Sequence, residues 1–320
     1  MNTSNASPTD FSYKYRTLST THLEELQHDI DKLKNEGKLS ENPTYRSYLQ
    51  DMKFKTPEKL PDAESLIIMA IPGKPMLVRF HSNGMAHEVT LPPQYYSDGI
   101  SDETLQKTIL QQITGKPNCK LERAREIHLK LLAVRSGLGK YGRNNLCYVE
   151  GMGSLLRLVA YFTNCELDDN WNEIKMMDIC KNCRACMINC PNHCITEENF
   201  VINAGKCLSL YNEIEGEFPE WISPIVHNAL IGCMRCQLIC PANNSVISLT
   251  GRLEEVTEEE TRKILNGTPD QKLLDSLSKK LRNFYPTRSA ESFNIFTRNL
   301  KALLNTESNV PNKRTSKDST

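Results

Sequence analysis

Apolar and polar positions repeat with changing periods along the chain, and the changes mark its elements. Leu23, Leu26, Ile30 and Leu33 recur at helical spacing between Thr20 and Gly37, which predicts an amphipathic helix. Thr21 and Glu24 fit a capping box at its start, and Gly37 ends it. The residues before about 18 are polar and read as a loose tail. SLIIMAI (65–71) is a short apolar run closed by Pro72, the pattern of a buried strand. MLVRFHSNGMAHEVTLPP (76–93) has two strand-like halves around Asn83-Gly84, a favoured hairpin turn. Residues 101–114 and about 121–136 carry helical spacing. Two strand-like runs follow over 145–163, joined at Gly151–Gly153.

This alternation predicts an α+β chain. An N-terminal α/β domain is expected over about 19–165, a cysteine-rich domain over about 176–245 and a short helical region over about 250–305. A polar tail, 306–320, is expected to be disordered. GLGKYG (137–142) matches the glycine pattern of a dinucleotide site, but that pattern requires a strand before it and a helix after it. Here a helical run precedes and a strand-like run follows, so it reads as a glycine-rich turn.

Lysine plus arginine equals aspartate plus glutamate at 39 each, which gives no support for strong nonspecific nucleic-acid binding. No apolar run approaches the about 18–20 residues that span a bilayer, and MNTSNASPTD lacks the apolar core of a secretory leader. A cytoplasmic protein is expected, its cysteines serving metal rather than disulfides.

The cysteine spacing carries the chemistry. Cys180, Cys183, Cys186 and Cys190 are followed by Pro191, which is the C-x2-C-x2-C-x3-C-P run of four-iron clusters. Cys233, Cys236 and Cys240 precede Pro241 in a second run that lacks one upstream cysteine, and Cys207 is the candidate to supply it. In such runs three thiolates grip one cube and the fourth reaches the other cluster. The expected sets are therefore Cys180, Cys183, Cys186 and Cys240, and Cys190, Cys207, Cys233 and Cys236. Zinc favours two C-x2-4-C pairs per site, not a third cysteine followed by C-P. Cys194 reads as a small buried residue or a spare ligand, and Cys119, Cys147 and Cys165 as isolated buried residues.

LAVRSGLGKYGRNNL (132–146), GSLLRLVAYFTN (153–164), CKNCRACMINCP, AGKCLSLYNE and GCMRCQLICPAN, in that order, resemble the epoxyqueuosine reductase family and its shorter double-cluster relatives. PDAESLIIMAIP is similar to the family's first strand. The resemblance covers about residues 20–250. It implies a nitroreductase-like N-terminal domain, a ferredoxin-like double-cluster domain and a short helical C-terminal piece. It also implies a reductase that feeds a cobalamin through two 4Fe-4S clusters and takes electrons from a reduced ferredoxin or flavodoxin. Gly142, Arg143, Asn144, Cys233 and Met234 would face the corrinoid. The family's proton-donating aspartate, in an Asp-Ser-Ala-Pro segment, has no counterpart in KLERAREIHLKLLAVRSGLG. A positioned acid is still needed, and Glu126 and His128 are the candidates. Zero net charge and a shortened C-terminal region count against tRNA as partner.

Overall fold

The computed structural model describes residues 11–197 and 200–308. Its strands are β1 (Lys14–Ser19), β2 (Ser65–Pro72), β3 (Met76–Ser82), β4 (Met85–Leu91), β5 (Leu121–Arg123), β6 (Lys140–Tyr141), β7 (Cys147–Tyr148), β8 (Leu156–Thr163) and β9 (Gly251–Arg252). The α+β class holds, but the chain divides into two interleaved units rather than consecutive domains. One comprises Met1–Pro75, Ser97–Cys207 and Arg235–Thr250, and the other Met76–Tyr96, Leu208–Met234 and Gly251–Thr320.

The first unit is built on an antiparallel sheet in the order β1-β2-β8-β5. Its central strand β2 pairs with β8 from Ser65 opposite Thr163 to Pro72 opposite Leu156. Both faces of β2 are covered, which is why its sequence is a continuous apolar run and not an alternation. Leu66, Ile68 and Ala70 pack on one side with Leu23, Leu26, Leu131, Leu132 and Val134 from the helices Leu23–Asn35 and Leu129–Arg135. Ile67, Met69 and Ile71 pack on the other with Leu105 and Ile109. No helix among the described residues is long and apolar enough to cross a membrane.

Several expectations give way here. The loose N-terminal segment ends earlier than residue 18, because Lys14–Ser19 pairs with β2 as a strand. The first helix starts without the Thr21–Glu24 box; Ser19 caps a preceding 3-10 turn by accepting from the Thr21 N–H at 3.2 Å. The run 121–136 is not one helix. Leu121–Arg123 pairs with the edge of β8, and the helix begins only at Leu129. An open sheet edge outweighs helical spacing for three residues. Cys119 and Cys165, expected as isolated residues, form a disulfide with a Cα–Cα distance of 5.7 Å. Leu121 lies opposite Thr163 in the antiparallel ladder, so two residues outward the register sets Cys119 opposite Cys165.

The second unit holds the expected hairpin. Ser82 lies opposite Met85, with Asn83 and Gly84 at φ 52° and 72°, as a two-residue hairpin turn demands. Met76, Val78, Phe80, Val89 and Leu91 form its buried face. Against them pack Ile264, Leu277, Phe293 and Phe296 of the helices Glu258–Asn266, Gln271–Lys280 and Ala290–Ser308. The last helix runs past the expected start of the tail at 306; residues 309–320 and 1–10 lie outside the described residues.

Replacing Cys119 and Cys165 together by alanine removes a cross-link over a sequence separation of 46 residues. The expected loss is about 2–4 kcal/mol, read from urea denaturation of oxidised protein. A double variant as stable as the parent would mean that the two sulfurs are not bonded.

Candidate metal centre

Two short turns in the first unit carry most of the cysteines. Cys180 sits in the 3-10 turn Asp178–Lys181, and Cys186 in the helix Ala185–Ile188. Cys236 sits in the helix Arg235–Leu238, and Cys240 caps the turn Pro241–Asn243. The proline after each final cysteine starts a new turn because its fixed φ suits that position and its missing N–H is not needed there. The two helices are tied by Asn189, whose Nδ2 donates to the Arg235 carbonyl at 2.8 Å.

The structure brings Cys180, Cys183, Cys186 and Cys240 together across a gap of more than fifty residues. Burial, and then Cys180, Cys240 and Cys183, push the Cys186 thiol up to about 11. Cys180 is raised by burial, opposed by the nearby Arg143, and raised further by Cys240 and Cys183. Cys190, Cys207 and Cys236 pack with Cys186 and Cys194 in a separate buried cluster. There the Cys190 thiol is held down to about 5 by the Cys194 side chain first, and then, against burial, by the backbone N–H groups of Cys194, Asn192 and Ile195. Such a nest of N–H groups favours a thiolate and equally a ligand sulfur. Cys233 belongs to the second unit, where Asn228 donates from Nδ2 to its Sγ at 3.3 Å and accepts from the Met234 N–H at 2.8 Å. Among the described residues, no three His, Cys, Asp or Glu side chains converge on a single-ion site. Thiolates around an iron–sulfur cube stand on separate irons and need no such convergence.

The frame around the first set was not visible in the sequence. Asn243 is fully buried. Its Oδ1 accepts from the Ser154 N–H at 2.8 Å, and its Nδ2 donates to the Gln237 carbonyl and the Ser154 hydroxyl, each at 2.9 Å. A Cβ on Gly153, which has φ +57°, would stand 2.2 Å from Asn243 Oδ1, so this approach requires glycine. Tyr148 accepts at its hydroxyl from Asn144 at 3.0 Å and donates to Cys240. Burial pushes its phenol far above the ordinary range. The residue after C-P-A and a tyrosine opposite a glycine pair were the only hints, and neither carries a spacing rule.

The remaining candidates occupy different places. Arg143 is buried and donates to the carbonyls of Cys180, at 2.5 Å, and of Glu197. Asn144 is engaged by Tyr148, and a Cβ on Gly142 would meet the Tyr148 ring at 2.4 Å. Met234 is fully buried. His128 caps the helix Leu129–Arg135, its Nδ1 accepting from the Leu131 N–H at 3.1 Å. Burial, aided by Lys130, holds it down to about 3, so the ring is neutral near pH 7. Glu126 is exposed and pairs with Lys53 at 2.9 Å. It lines a cavity of about 350 Å³ that no cysteine reaches. A larger cavity of about 920 Å³ is lined by Tyr13, Arg16, Gly139, Tyr148 and Ala242, and Tyr148 joins it to Cys240.

Residues 179–243 match the 4Fe-4S double cluster binding domain family. In sequence the chain is 33% identical over 115 residues to an epoxyqueuosine reductase from Shewanella oneidensis, covering 36% of this chain and 28% of that protein. The Escherichia coli epoxyqueuosine reductase is 34% identical over 130 residues, covering 40% and 31%. The matched segment thus spans about three-tenths of the length of these curated relatives. Epoxyqueuosine reductase from Streptococcus thermophilus shares the fold, with a TM-score of 0.64 at 18% identity over 92% of this chain and 77% of that one. A structure of epoxyqueuosine reductase with an epoxyqueuosine-modified tRNA-Tyr stem loop gives 0.63 at 17% identity over the same shares. The chain resembles these reductases, and its residues 179–243 resemble a double-cluster iron–sulfur domain.

Arg143→Met keeps the volume and removes both donors to the cysteine loop. The buried Cys180 carbonyl and the more open Glu197 carbonyl lose their partner, at an expected cost of about 1–3 kcal/mol, with less iron retained per chain after desalting. Unchanged denaturation and iron content would show that the guanidinium does not hold the loop.

Proposed function

We propose that the protein is an iron–sulfur reductase of the epoxyqueuosine reductase kind. Electrons enter singly from a reduced ferredoxin or flavodoxin, and the substrate is a modified nucleoside in a tRNA stem loop. The observation that carries this reading is the meeting of Cys180, Cys183 and Cys186 with Cys240. That is the crossed set a double-cluster module requires. The donor set is all thiol and buried or half-buried, which suits soft metal centres. When bound, the two clusters supply one-electron transfer.

The chain's own residues supply position. Arg143 and Asn243 hold the loops that carry Cys180 and Cys240. The cavity beside Tyr148 is the concave site next to the first set, and about 920 Å³ is within the size range of ligand pockets. Reductive removal of an epoxide oxygen consumes two electrons and two protons. Neither His128, neutral and capping a helix, nor Glu126, paired with Lys53, is poised as the acid. The polar groups of Arg143 and Asn144 expected to face a corrinoid are largely engaged by Glu197, Cys180 and Tyr148. The buried Arg143 Nε is left without a partner, and no step is routed through a corrinoid. A second reading, the same wiring serving a substrate other than epoxyqueuosine, is favoured by the segment 120–126, which includes the strand Leu121–Arg123. It holds no aspartate, and its Arg123 is bound to Asp102 at 2.7 Å.

Protein purified without oxygen is expected to hold about eight irons per chain. It should also restore queuosine to tRNA in a strain lacking the reductase. Cys183→Ser should lose much of the absorbance near roughly 400 nm that marks thiolate-bound iron. A cluster-loaded protein that gives no queuosine would remove tRNA as substrate and leave the second reading. Protein without iron would remove both.

A further inference from the structure

Cys194 lies outside both cysteine runs, yet the fold places it inside the second set. Its side chain is 3% exposed. Its Sγ stands 3.3 Å from that of Cys190, and it also hydrogen-bonds with Cys207. The position is built, because the Cys194 carbonyl accepts from the Asn203 N–H at 2.8 Å. That bond closes the loop leading to Cys207. Ile195 packs beside it in the same buried cluster.

Iron takes cysteine as the thiolate. As ligands, Cys190 and Cys207 would offer lone pairs and no proton. Of the three neighbouring sulfurs, Cys194 is then the one that retains a hydrogen to give. Resting on the two-cluster reading, we propose that Cys194 is a positioning residue that donates an S–H hydrogen bond to a ligand sulfur of the second set and thereby raises the reduction potential of that cluster alone. A donor to a ligand sulfur withdraws electron density from it. It stabilises the reduced state, which carries one more negative charge, more than the oxidised state. Beside the first set stand Arg143 and Tyr148.

The test is a redox titration of the full chain, loaded with iron and followed by electron paramagnetic resonance. In Cys194→Ala one of the two midpoints should fall and the other stay. Iron should remain at about eight per chain. Cys194→Ser, whose hydroxyl still donates, should bring the lowered midpoint back. Unchanged midpoints in the alanine variant would overturn the proposal. So would an equal fall in both variants, which would report lost sulfur volume rather than a lost donor. Loss of half the iron in Cys194→Ala would make the residue a ligand instead. A parent chain that holds only one cluster would overturn the two-cluster reading itself, a result separable from the others by iron content alone.

Discussion

Thiols that must share a small volume resist it. Two thiolates about 6 Å apart repel by roughly 3 kcal/mol at an effective dielectric of 20, and burial adds to the cost of each charge. The rise of Cys186 under burial and three neighbouring cysteines is this resistance. The surrounding structure answers it with donors that do not need to ionise. Asn243 locks the turn after Cys240 to Ser154. Asn189 ties one cysteine helix to the other. Arg143 adds a fixed positive charge beside Cys180. Three backbone N–H groups and a thiol point at Cys190. The sheet, the glycine-rich turn and the strand β8 serve to hold these donors in place. That is why Gly153 and Asn243, which ligate nothing, approach so closely.

The sequence disclosed those features whose cause is local. The Asn83-Gly84 turn needs only two adjacent residues that tolerate positive φ. The run β2 needs only uninterrupted apolar residues. The C-x2-C-x2-C-x3-C-P spacing encodes the local geometry of a ligand loop. The crossed pattern that groups Cys240 with the first run is likewise a spacing rule, and in the structure Cys240 acts on Cys186 together with Cys180 and Cys183. What stayed hidden depends on partners far along the chain. Lys14–Ser19 is polar on its exposed positions and is a strand because β2 has an edge to offer. Leu121–Arg123 is a strand because β8 does. The Cys119–Cys165 bond is a consequence of that same register. Asn228 and Asn243 are single polar residues with no periodicity, and only packing reveals what they hold.

The interleaving of the two units has the same origin. A reading by composition separates an α/β part from a cysteine-rich part, because cysteine content changes sharply near residue 176. Packing divides the chain elsewhere. Cys180 to Cys207 and Arg235 to Thr250 belong with the four-stranded sheet, whereas Leu208 to Met234 belong with the hairpin β3–β4. Asn299 shows how the latter is held: fully buried, it donates to the carbonyls of Asn212 at 2.9 Å and Leu230 at 3.1 Å. A buried amide of this kind specifies one arrangement because any other leaves it unpaired. The boundary therefore follows hydrogen-bonding need rather than residue type.

Tyr148 connects this frame to chemistry. Its hydroxyl accepts from Asn144, donates to Cys240, and belongs to a residue that lines the larger cavity. Because burial keeps its proton in place across the physiological range, it acts on the first set as the N–H nest acts on the second. Each is a neutral donor aimed at a cysteine sulfur. The difference is access. The nest at Cys190 is packed within the cysteine cluster, while the tyrosine stands between sulfur and open volume.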